Sequence, residues 1–365
     1  MQYRTFGKFG YKVSQLGFGA MRLPTREDGS VDYDRAVPLI RRGIDLGINF
    51  IDSHHFYHRG ESEVAVGKAI QGRRDRVYLQ TKTPMYREVE SEDERWRWLE
   101  TALEKLGTDY IDFYLAHSFN WERFQKDHKP FLKLARKARD QGLIRHIGFS
   151  FHDTADVLMK IIDTDAFDCM TVQYNLLNRS LEEPIAHAHE KAMGVVIMGP
   201  VGGGTLAAPS SEISKLLPQK ARGSAEIALR FVLSNPNISL ALSGMSTLAQ
   251  LEENVAVASE EIVLNEDDRR HIREVLEEKK RLSDLYCTGC GYCMPCPNGV
   301  NIPRNFEIMN LHRVYGLTEV AQERYQRLEP GSRAEDCVEC GECEPKCPQK
   351  IPIIEQLKEV AVALG

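Results

Sequence analysis

The sequence predicts a (β/α)₈ barrel of the TIM type followed by a small cysteine-rich domain, and three observations support this prediction. From Met1 to about Leu282, short apolar and β-branched runs alternate with longer amphipathic segments, the pattern of βα units around a parallel sheet. Eight such runs are present, and eight strands close a barrel. From Cys287 onward the composition changes to Cys, Gly and Pro.

The eight predicted strands are separated by segments with helical periodicity. They are Ser14–Phe18, Ile48–Asp52, Val77–Thr81, Ile111–Ala116, His146–Ser150, Met170–Tyr174, Val195–Met198 and Ile238–Leu242. Three of the intervening helices are predicted over Tyr33–Leu46, Glu92–Leu106 and Ser224–Leu233. The competing fold is a doubly wound open sheet, whose dinucleotide turn reads Gly-x-Gly-x-x-Gly. The early turn at Gly17 and Gly19 has only two glycines, and Pro24 opposes an immediate helix, so the barrel is favoured.

The domain boundary is predicted at residue 282, where a charged helical stretch over Glu266–Arg281 ends. Residues 1–282 form the barrel in this prediction, and residues 283–365 form the small domain. Ile302–Tyr315 and Leu317–Leu328 have helical patterns, so the small domain is expected to carry helices between its two cysteine clusters. A chain of 365 residues is long enough for one large and one small core.

Composition excludes several classes of function. The net charge is -6, so the chain lacks the basic excess of a nucleic-acid-binding protein. The sequence shows no apolar run of membrane-spanning or signal-peptide length, and we expect a cytoplasmic protein without a membrane partner. Eight of the nine cysteines lie in two short C-terminal clusters, which indicates metal ligands rather than disulfides. The ninth, Cys169, is expected to be an inert buried thiol. The oligomeric state is not predicted.

Four ionisable residues fall at or just beyond the ends of predicted strands two, three and four, where a barrel assembles its chemistry. They are Asp52, Tyr57, Lys82 and His117. Reduction of a carbonyl by hydride requires a proton donor at the developing alkoxide, and a tyrosine serves when its neighbours tune its pKa. Lys82 would favour the phenolate, Asp52 would balance Lys82, and His117 would orient or polarise the carbonyl.

Two other interpretations of these residues stay open. Asp52 and Lys82 can form a purely structural ion pair, with Tyr57 a loop aromatic and His117 a packed histidine. Alternatively, the four residues can persist in a protein that binds a cofactor without turnover.

The N-terminal region resembles the aldo-keto reductase superfamily from Met1 to about Leu282. The similar motifs are GFGAMRL, GINFIDS with a tyrosine five residues after the aspartate, DYIDFYLAH, IRHIGFS, QYNLLNR and LEENV. The resemblance implies NAD(P)-dependent interconversion of aldehydes or ketones with alcohols, with Tyr57 as general acid/base. It also implies an extended NAD or NADP across the barrel mouth, bound without a Rossmann turn.

Family-like nucleotide positions map onto the ends of several strands and the loops after them. They are Gly19, Ala20, Met21, Asp52, Ser150, Thr171, Met198, Gly199, Pro200, Val201, Gly202, Gly203, Ser243, Gly244, Met245, Gln250, Glu253 and Asn254. The glycines after Met198 suit close approach to a pyrophosphate, although such a turn is also a simple tight connection.

Some of these positions depart from the family pattern. Thr171 stands where a glutamine often binds the nicotinamide carboxamide, Met198 stands where an aromatic often stacks, and Phe151 replaces an asparagine. Gly244 and Gln250 occupy positions that are basic in many NADPH-specific members, so the choice between NAD and NADP is left open.

The loop that carries Tyr57 is rich in imidazole. His54, His55 or Arg59 would contact a polar or anionic substrate in one interpretation, whereas solvated side chains are an equal alternative for His58 and Arg59. Trp121, after the fourth predicted strand, forms a pocket wall or packs the loop.

The C-terminal cysteines have the spacing typical of bacterial two-cluster ferredoxins. The second run is Cys-x₂-Cys-x₂-Cys-x₃-Cys-Pro, and the first run is one residue shorter before its last cysteine. By the ferredoxin rule one [4Fe–4S] cluster takes Cys287, Cys290, Cys293 and Cys347, and the other takes Cys337, Cys340, Cys343 and Cys296. A zinc site is the alternative, but it normally draws two separated Cys-x₂-Cys pairs.

The combination predicts a nicotinamide-dependent oxidoreductase of a small-molecule carbonyl or alcohol, whose clusters tune activity or exchange electrons with an external carrier. An acidic rim at residues 335, 336, 339, 342 and 344 would steer a basic partner or is simply a solvated face. Two alternatives are a reductase supplied with single electrons by the clusters, with or without a flavin, and a non-catalytic electron-transfer or redox-sensing subunit.

Overall fold

The computed structural model describes residues 1–84, 91–216, 223–261, 266–287, 289–347 and 350–365. These residues form two compact units, of which the first comprises Met1–Gly203 with Ala228–Val263, and the second comprises Gly204–Ile227 with Leu264–Gly365. Within the described ranges, no helix has both the length and the apolar character that a membrane span requires. The division of the chain into domains at residue 282 stays a prediction.

The strands are β1 (Tyr3–Phe6), β2 (Tyr11–Ser14), β3 (Leu16–Gly19), β4 (Phe50–Asp52), β5 (Tyr78–Thr83), β6 (Ile111–Phe119), β7 (Ile144–Phe151), β8 (Cys169–Gln173), β9 (Gly194–Met198) and β10 (Leu240–Ser243). The helices are α1 (Tyr33–Asp45), α2 (Glu61–Ile70), α3 (Glu92–Leu106), α4 (Trp121–Asp140), α5 (Ala155–Ile162), α6 (Glu182–Glu190), α7 (Ser211–Ser214), α8 (Ser224–Leu233), α9 (Leu248–Ser259), α10 (Glu266–Tyr286), α11 (Ile302–Arg313), α12 (Thr318–Gln326) and α13 (Ile353–Leu364).

The predicted barrel is confirmed. Strands β3 to β10 close in the order β10-β3-β4-β5-β6-β7-β8-β9, and every pair in this ring is parallel. Each predicted strand overlaps an observed one, although the first begins at Leu16 because Ser14 belongs to β2. The helices predicted at Glu92–Leu106 and Ser224–Leu233 have the predicted bounds.

An antiparallel hairpin of β1 and β2 precedes the barrel and was not predicted. Its Phe6 side chain is fully buried, with its ring 4.6 Å from that of Phe113 and 5.8 Å from that of Phe50. Gly194, at the start of β9, leaves room for this ring, because a Cβ there would collide with it. The hairpin therefore fills the end of the barrel at which the strands begin.

The opposite end of the barrel collects the polar residues. Side chains alternate along a strand, and all eight strands end at the same rim, so matched registers bring their last residues side by side. Asp52 lies beside Gly19 on one neighbouring strand and beside Gln80 on the other. Ser150 of β7 is paired in register with Thr171 of β8.

In the second unit, helices α11, α12 and α13 surround a small apolar core that includes the buried side chains of Phe306, Tyr325, Leu357 and Val360. Helix α13 was not predicted. The segment after Gly204 belongs to this unit and is tied to its helices. Ser210 Oγ donates to the Tyr315 carbonyl at 2.6 Å, and Lys279 Nζ donates to Glu212 at 2.8 Å.

We expect Phe6→Ala to lower the free energy of unfolding by about 3–5 kcal/mol, because it leaves a cavity among aromatic rings. Urea denaturation followed by circular dichroism measures this change. Tyr3→Ala is the matched control in the same hairpin, since about half of the Tyr3 side chain is exposed. A Phe6→Ala effect no larger than that of Tyr3→Ala would contradict the role of the hairpin as a plug.

Candidate functional site

A buried ion pair lies at the rim where the barrel strands end. Lys82 Nζ donates to Asp52 Oδ1 at 2.5 Å and to the Ser53 carbonyl at 2.8 Å, and both charged side chains are almost fully buried. Gln80 Nε2 donates to the same carboxylate oxygen at 2.7 Å and to Thr171 Oγ1 at 3.1 Å. Burial alone would lower the pKa of Lys82, but the Asp52 carboxylate and the hydrogen-bonded Tyr57 phenol outweigh it and raise the pKa. Lys82 is therefore an ammonium.

Tyr57 lies beside this ammonium. It begins the 3₁₀ turn Tyr57–Gly60, and its backbone N–H donates to the His54 carbonyl at 3.1 Å. Lys82 Nζ is 5.2 Å from the centroid of the Tyr57 ring and is hydrogen-bonded to the Tyr57 hydroxyl. His117 lies near the same phenol, with 6.5 Å between the ring centroids. The structure thus brings together all four residues predicted as the catalytic group.

His117 and His54 are neutral imidazoles. Burial lowers the pKa of His117 to about 3, and the charges of Lys82 and Arg123 act in the same direction. Burial likewise lowers the pKa of His54 far below its usual value, with further contributions from His117 and Lys82. A neutral imidazole carries one N–H donor, which can polarise a carbonyl oxygen without adding charge.

The residues predicted to hold a nucleotide surround the same rim. Gly19, Asp52, Met198 and Ser243 end their strands, and Ser150 and Thr171 lie near the ends of theirs. The others follow in the adjoining loops or in α9, and are Ala20, Met21, Gly199, Pro200, Val201, Gly202, Gly203, Gly244, Met245, Gln250, Glu253 and Asn254. Met21 is largely exposed, whereas Met245 is fully buried.

Several of these polar groups are held by internal hydrogen bonds. Ser150 Oγ accepts from the Ser118 backbone N–H at 2.7 Å, and Asn254 Nδ2 donates to Ser243 Oγ at 3.1 Å. The Gly199 carbonyl accepts from Asn175 Nδ2 at 2.9 Å. Hydrogen bonds within the chain therefore hold these parts of the rim in position.

Two glycines of this rim lie against one arginine. A Cβ at Gly244 would come 3.1 Å from Arg22 Cβ, and a Cβ at Gly203, whose φ is +67°, would come 3.3 Å from Arg22 Nη2. The Arg22 side chain therefore extends between the loops that follow β10 and β9. Guanidinium groups bind phosphates well, so Arg22 and these glycines fit a dinucleotide phosphate.

The other residues of the Tyr57 loop have diverse surroundings. His58 Nε2 accepts from the Leu23 backbone N–H at 3.1 Å, so this side chain joins two loops. His55 Nδ1 lies 3.8 Å from the buried carboxylate of Glu63 and packs on the ring of Phe56. The Trp121 ring stacks on Phe124 of its own helix at 5.8 Å, which fits the packing interpretation.

Three residues of the site were missed by the sequence analysis, namely Gln80, Glu63 and Arg22. Gln80 alternates with Lys82 along β5, and this spacing of two would have placed both side chains on the inner face. Glu63 accepts from Thr81 Oγ1 at 2.6 Å, and burial raises the pKa of its carboxyl. No sequence signal pointed to Glu63 or Arg22, because the packing of α2 against β5 and the approach of Arg22 to two loops arise only in the fold.

The cysteines of the second unit surround two small cavities. The first is lined by Cys287, Cys290, Cys293 and Cys347, together with Phe306 and Ile353. The second is lined by Cys296, Cys337, Cys340 and Cys343, together with Ile354 and Leu357. Within the described residues, no three potential ligands are arranged to hold a single metal ion. Four thiols around an apolar cavity fit an iron–sulfur cubane better than zinc.

The acidic side chains near the second cysteine run are largely paired. Glu339 accepts from Lys358 at 2.8 Å, Glu342 lies 3.9 Å from Lys346, and Glu344 accepts from the Ile354 backbone N–H. Glu335 accepts from the Tyr325 hydroxyl. Lysines therefore face Glu339 and Glu342, whereas the contacts of Glu344 and Glu335 leave the charges of these two carboxylates in place.

Cys169, by contrast, lies in β8 and is fully buried, and its burial raises the pKa of the thiol. These surroundings fit a thiol that only packs.

A comparison with protein families decides the classification of the barrel. The model of the aldo/keto reductase family matches residues 15–277. The chain belongs to the aldo/keto reductase family. A second family model, the 4Fe-4S dicluster domain, matches residues 286–351. This aldo/keto reductase therefore carries a C-terminal iron–sulfur domain.

Known proteins resemble the aldo/keto reductase region over nearly their whole length. L-galactose dehydrogenase of Arabidopsis thaliana is 28% identical over 310 residues, which cover 78% of this chain and 97% of that protein. The holo form of an aldo-keto reductase of Bacillus halodurans is 27% identical, with a TM-score of 0.66 and coverage of 75% of this chain and 96% of that one. An enzyme of Klebsiella pneumoniae in complex with NADP and acetate is 24% identical, with a TM-score of 0.64 and coverage of 75% and 95%, and shows the shared fold.

We expect the lowered histidine pKa values to make stability depend on pH. The unfolded chain binds a proton at His117 near pH 6.5, whereas the folded protein does not until about pH 3. The stabilisation that comes from keeping His117 neutral is therefore fully present above pH 6.5 and is lost as the pH falls toward 3. Between pH 7 and pH 5, His117 alone lowers the free energy of unfolding by about 2 kcal/mol.

Urea denaturation of the wild type and of His117→Asn at pH 7 and pH 5 measures this contribution. We expect the wild type to lose more stability than the variant. His189→Asn is the matched control on an exposed position and is expected to behave as the wild type. Equal losses in the wild type and His117→Asn would show that His117 is not held neutral.

Proposed function

We propose that this chain interconverts aldehydes or ketones with alcohols by hydride transfer, with NADPH or NADH as the reductant and Tyr57 as the general acid/base. The observation that carries the proposal is the chain of hydrogen bonds from the Tyr57 phenol through the Lys82 ammonium to the buried Asp52 carboxylate. A phenol beside an ammonium loses its proton more readily than one in water. The name of the Arabidopsis relative, a dehydrogenase of the sugar L-galactose, supports this reaction class.

The side chains of the site have separate tasks in this reaction. A bound dihydronicotinamide supplies a hydride to the carbonyl carbon. The Tyr57 hydroxyl gives its proton to the carbonyl oxygen, so that hydride and proton together convert the carbonyl to an alcohol. Lys82 stabilises the phenolate that remains, and Asp52 holds Lys82 and balances its charge. The neutral His117 ring donates a hydrogen bond to the same oxygen. Solvent returns a proton to Tyr57 after each turnover.

The residues that would hold the nucleotide surround the same rim. The glycines after β9 and β10 permit close approach of a pyrophosphate, and Arg22 supplies a cation beside them. The Ser150 and Thr171 hydroxyls lie near the ends of β7 and β8, and the Asn254 amide of α9 lies beside Ser243. We leave both NADP and NAD as the cofactor in this proposal.

The two cysteine-lined cavities would each hold one [4Fe–4S] cluster, with ligands exchanged between the two runs. The first takes Cys287, Cys290, Cys293 and Cys347, and the second takes Cys296, Cys337, Cys340 and Cys343. A cubane passes one electron at a time, whereas hydride transfer moves two together. The clusters therefore tune the enzyme or exchange electrons with an external carrier.

We expect Tyr57→Phe to lower kcat/KM at least about a hundredfold, because the variant has no proton to give to the carbonyl oxygen. Activity is measured on a panel of aldehydes and ketones with NADPH or NADH, and nucleotide binding by protein fluorescence. Binding is expected to persist in the variant. Tyr33→Phe is the control, since Tyr33 lies in α1 beside Lys68.

Activity of Tyr57→Phe within tenfold of the wild type would contradict the role of the phenol. If the wild type shows no activity with either nucleotide but reduces the panel with a low-potential one-electron donor, the result would favour the alternative in which the clusters supply single electrons to the reductase.

We expect the anaerobically purified protein to contain about eight iron atoms, four per cluster. The double variant Cys293→Ser/Cys347→Ser removes ligands from one cavity and should retain about four. The double variant Cys293→Ser/Cys296→Ser removes a ligand from each cavity and should retain few or none. Iron analysis and electron paramagnetic resonance measure these contents.

Cys169→Ser is the control and should keep all of its iron, because this cysteine lies in the barrel. The reverse result for the two double variants would show that each cysteine run binds its own cluster.

A further inference from the structure

The side chain of Asn298 lies at the edge of the second cysteine-lined cavity. It lines this cavity together with the four cysteines proposed as ligands of the second cluster. Its Nδ2 donates to Cys340 Sγ at 3.7 Å, across 42 positions of the chain. Asn298 and Cys340 are both exposed, so the amide reaches a sulfur atom at the solvent-facing edge of the cavity.

A β-turn holds Asn298 in this position. The Gly299 N–H donates to the Cys296 carbonyl at 3.1 Å, so residues 296–299 form the turn and Asn298 is its third residue. Pro297 restricts the backbone at the second position. Gly299 has a φ of +84°, and a Cβ there would come 3.1 Å from the Gly331 carbonyl oxygen. Because the turn begins at Cys296, a ligand of the same cavity, it places the amide beside the sulfur atoms.

The amide of Asn298 is a hydrogen-bond donor, and a cysteine thiolate is an acceptor. One-electron reduction adds a negative charge to a cluster and its thiolates, so an N–H that points at a sulfur binds the reduced form more strongly than the oxidised form. Hydrogen bonds to the sulfurs are among the factors that set the reduction potential of an iron–sulfur cluster. The contact between Asn298 and Cys340 therefore favours reduction.

We infer that Asn298 raises the reduction potential of the cluster in the second cavity through its hydrogen bond to Cys340 Sγ. This inference rests on the proposed function, in which each cavity holds one cluster. In the first cavity a backbone group is the donor, since the Gly289 N–H donates to Cys287 Sγ at 3.3 Å. A substitution at Asn298 leaves that bond in place. The first cluster is therefore an internal reference for the second.

Asn298→Leu tests the inference, because leucine has a similar size, has no N–H and keeps water from the sulfur. Anaerobic titration of the full-length protein with dithionite, followed by electron paramagnetic resonance, measures the midpoint potentials of both clusters. We expect one midpoint to fall and the other to stay. The equilibrium constant for one-electron reduction should decrease about tenfold, which corresponds to about 59 mV. Asn298→Asp lacks the donor and adds a negative charge, so it should lower the same midpoint at least as far.

Asn301→Leu is the matched control, the same substitution three residues further along the chain. Asn301 Oδ1 accepts from the Arg304 backbone N–H at 3.3 Å at the start of α11, so this variant loses a helix cap. We expect lower stability but two wild-type midpoints. When Asn298→Leu is added to the double variant Cys293→Ser/Cys347→Ser, which should retain only the second cluster, the single remaining midpoint should fall.

Two results would overturn the inference while leaving the proposed clusters intact. One is a protein with about eight iron atoms in which Asn298→Leu keeps both wild-type midpoints, or shifts them no more than Asn301→Leu does. The other is loss of iron from both Asn298→Leu and Asn298→Asp, which would assign Asn298 to holding the two cysteine runs together. A wild type without cluster iron would overturn the proposed clusters, and the inference with them.

Discussion

The site depends on one buried ion pair between Lys82 and Asp52. Two charges withdrawn from water are costly, and the loss of either partner would leave the other unpaired at a cost of about 3–5 kcal/mol. The pair is sustained because Gln80 and the Ser53 carbonyl satisfy its remaining hydrogen-bonding groups. Its position at the end of two adjacent strands places an ammonium beside the Tyr57 phenol. Burial keeps His117 and His54 neutral, and the charge of Lys82 acts in the same direction.

The two ends of the barrel have opposite physical character, and this separation makes the polar end possible. Aromatic rings from the N-terminal hairpin fill the end where the strands begin, so packing there does not depend on the site. The rim where the strands end can then carry charges, glycines and loops that contribute little to packing. The end where the eight strands begin thus contributes packing, and the end where they finish carries the polar groups of the site.

The cysteine-lined cavities of the second unit suit a different kind of electron transfer from the barrel rim. Its cavities are lined by thiols and apolar side chains, which suits clusters that accept single electrons. The barrel, in contrast, holds a phenol beside an ammonium and two neutral imidazoles, the groups on which the proposed hydride transfer depends. The proposed function therefore places a site for paired electrons and sites for single electrons on one chain.

The sequence by itself determined the barrel, its eight strands and the eight clustered cysteines, because periodicity and ligand spacing are local properties of a chain. It also pointed to Tyr57, Lys82, Asp52 and His117, since strand ends are readable from the apolar runs. Only the tertiary structure decided which groups surround them. The hairpin plug, the approach of Arg22 to two glycines, and the contact of His54 with His117 all join residues far apart in the chain or fix the direction of a ring. Such contacts arise from packing and loop geometry, for which short-range patterns carry no signal.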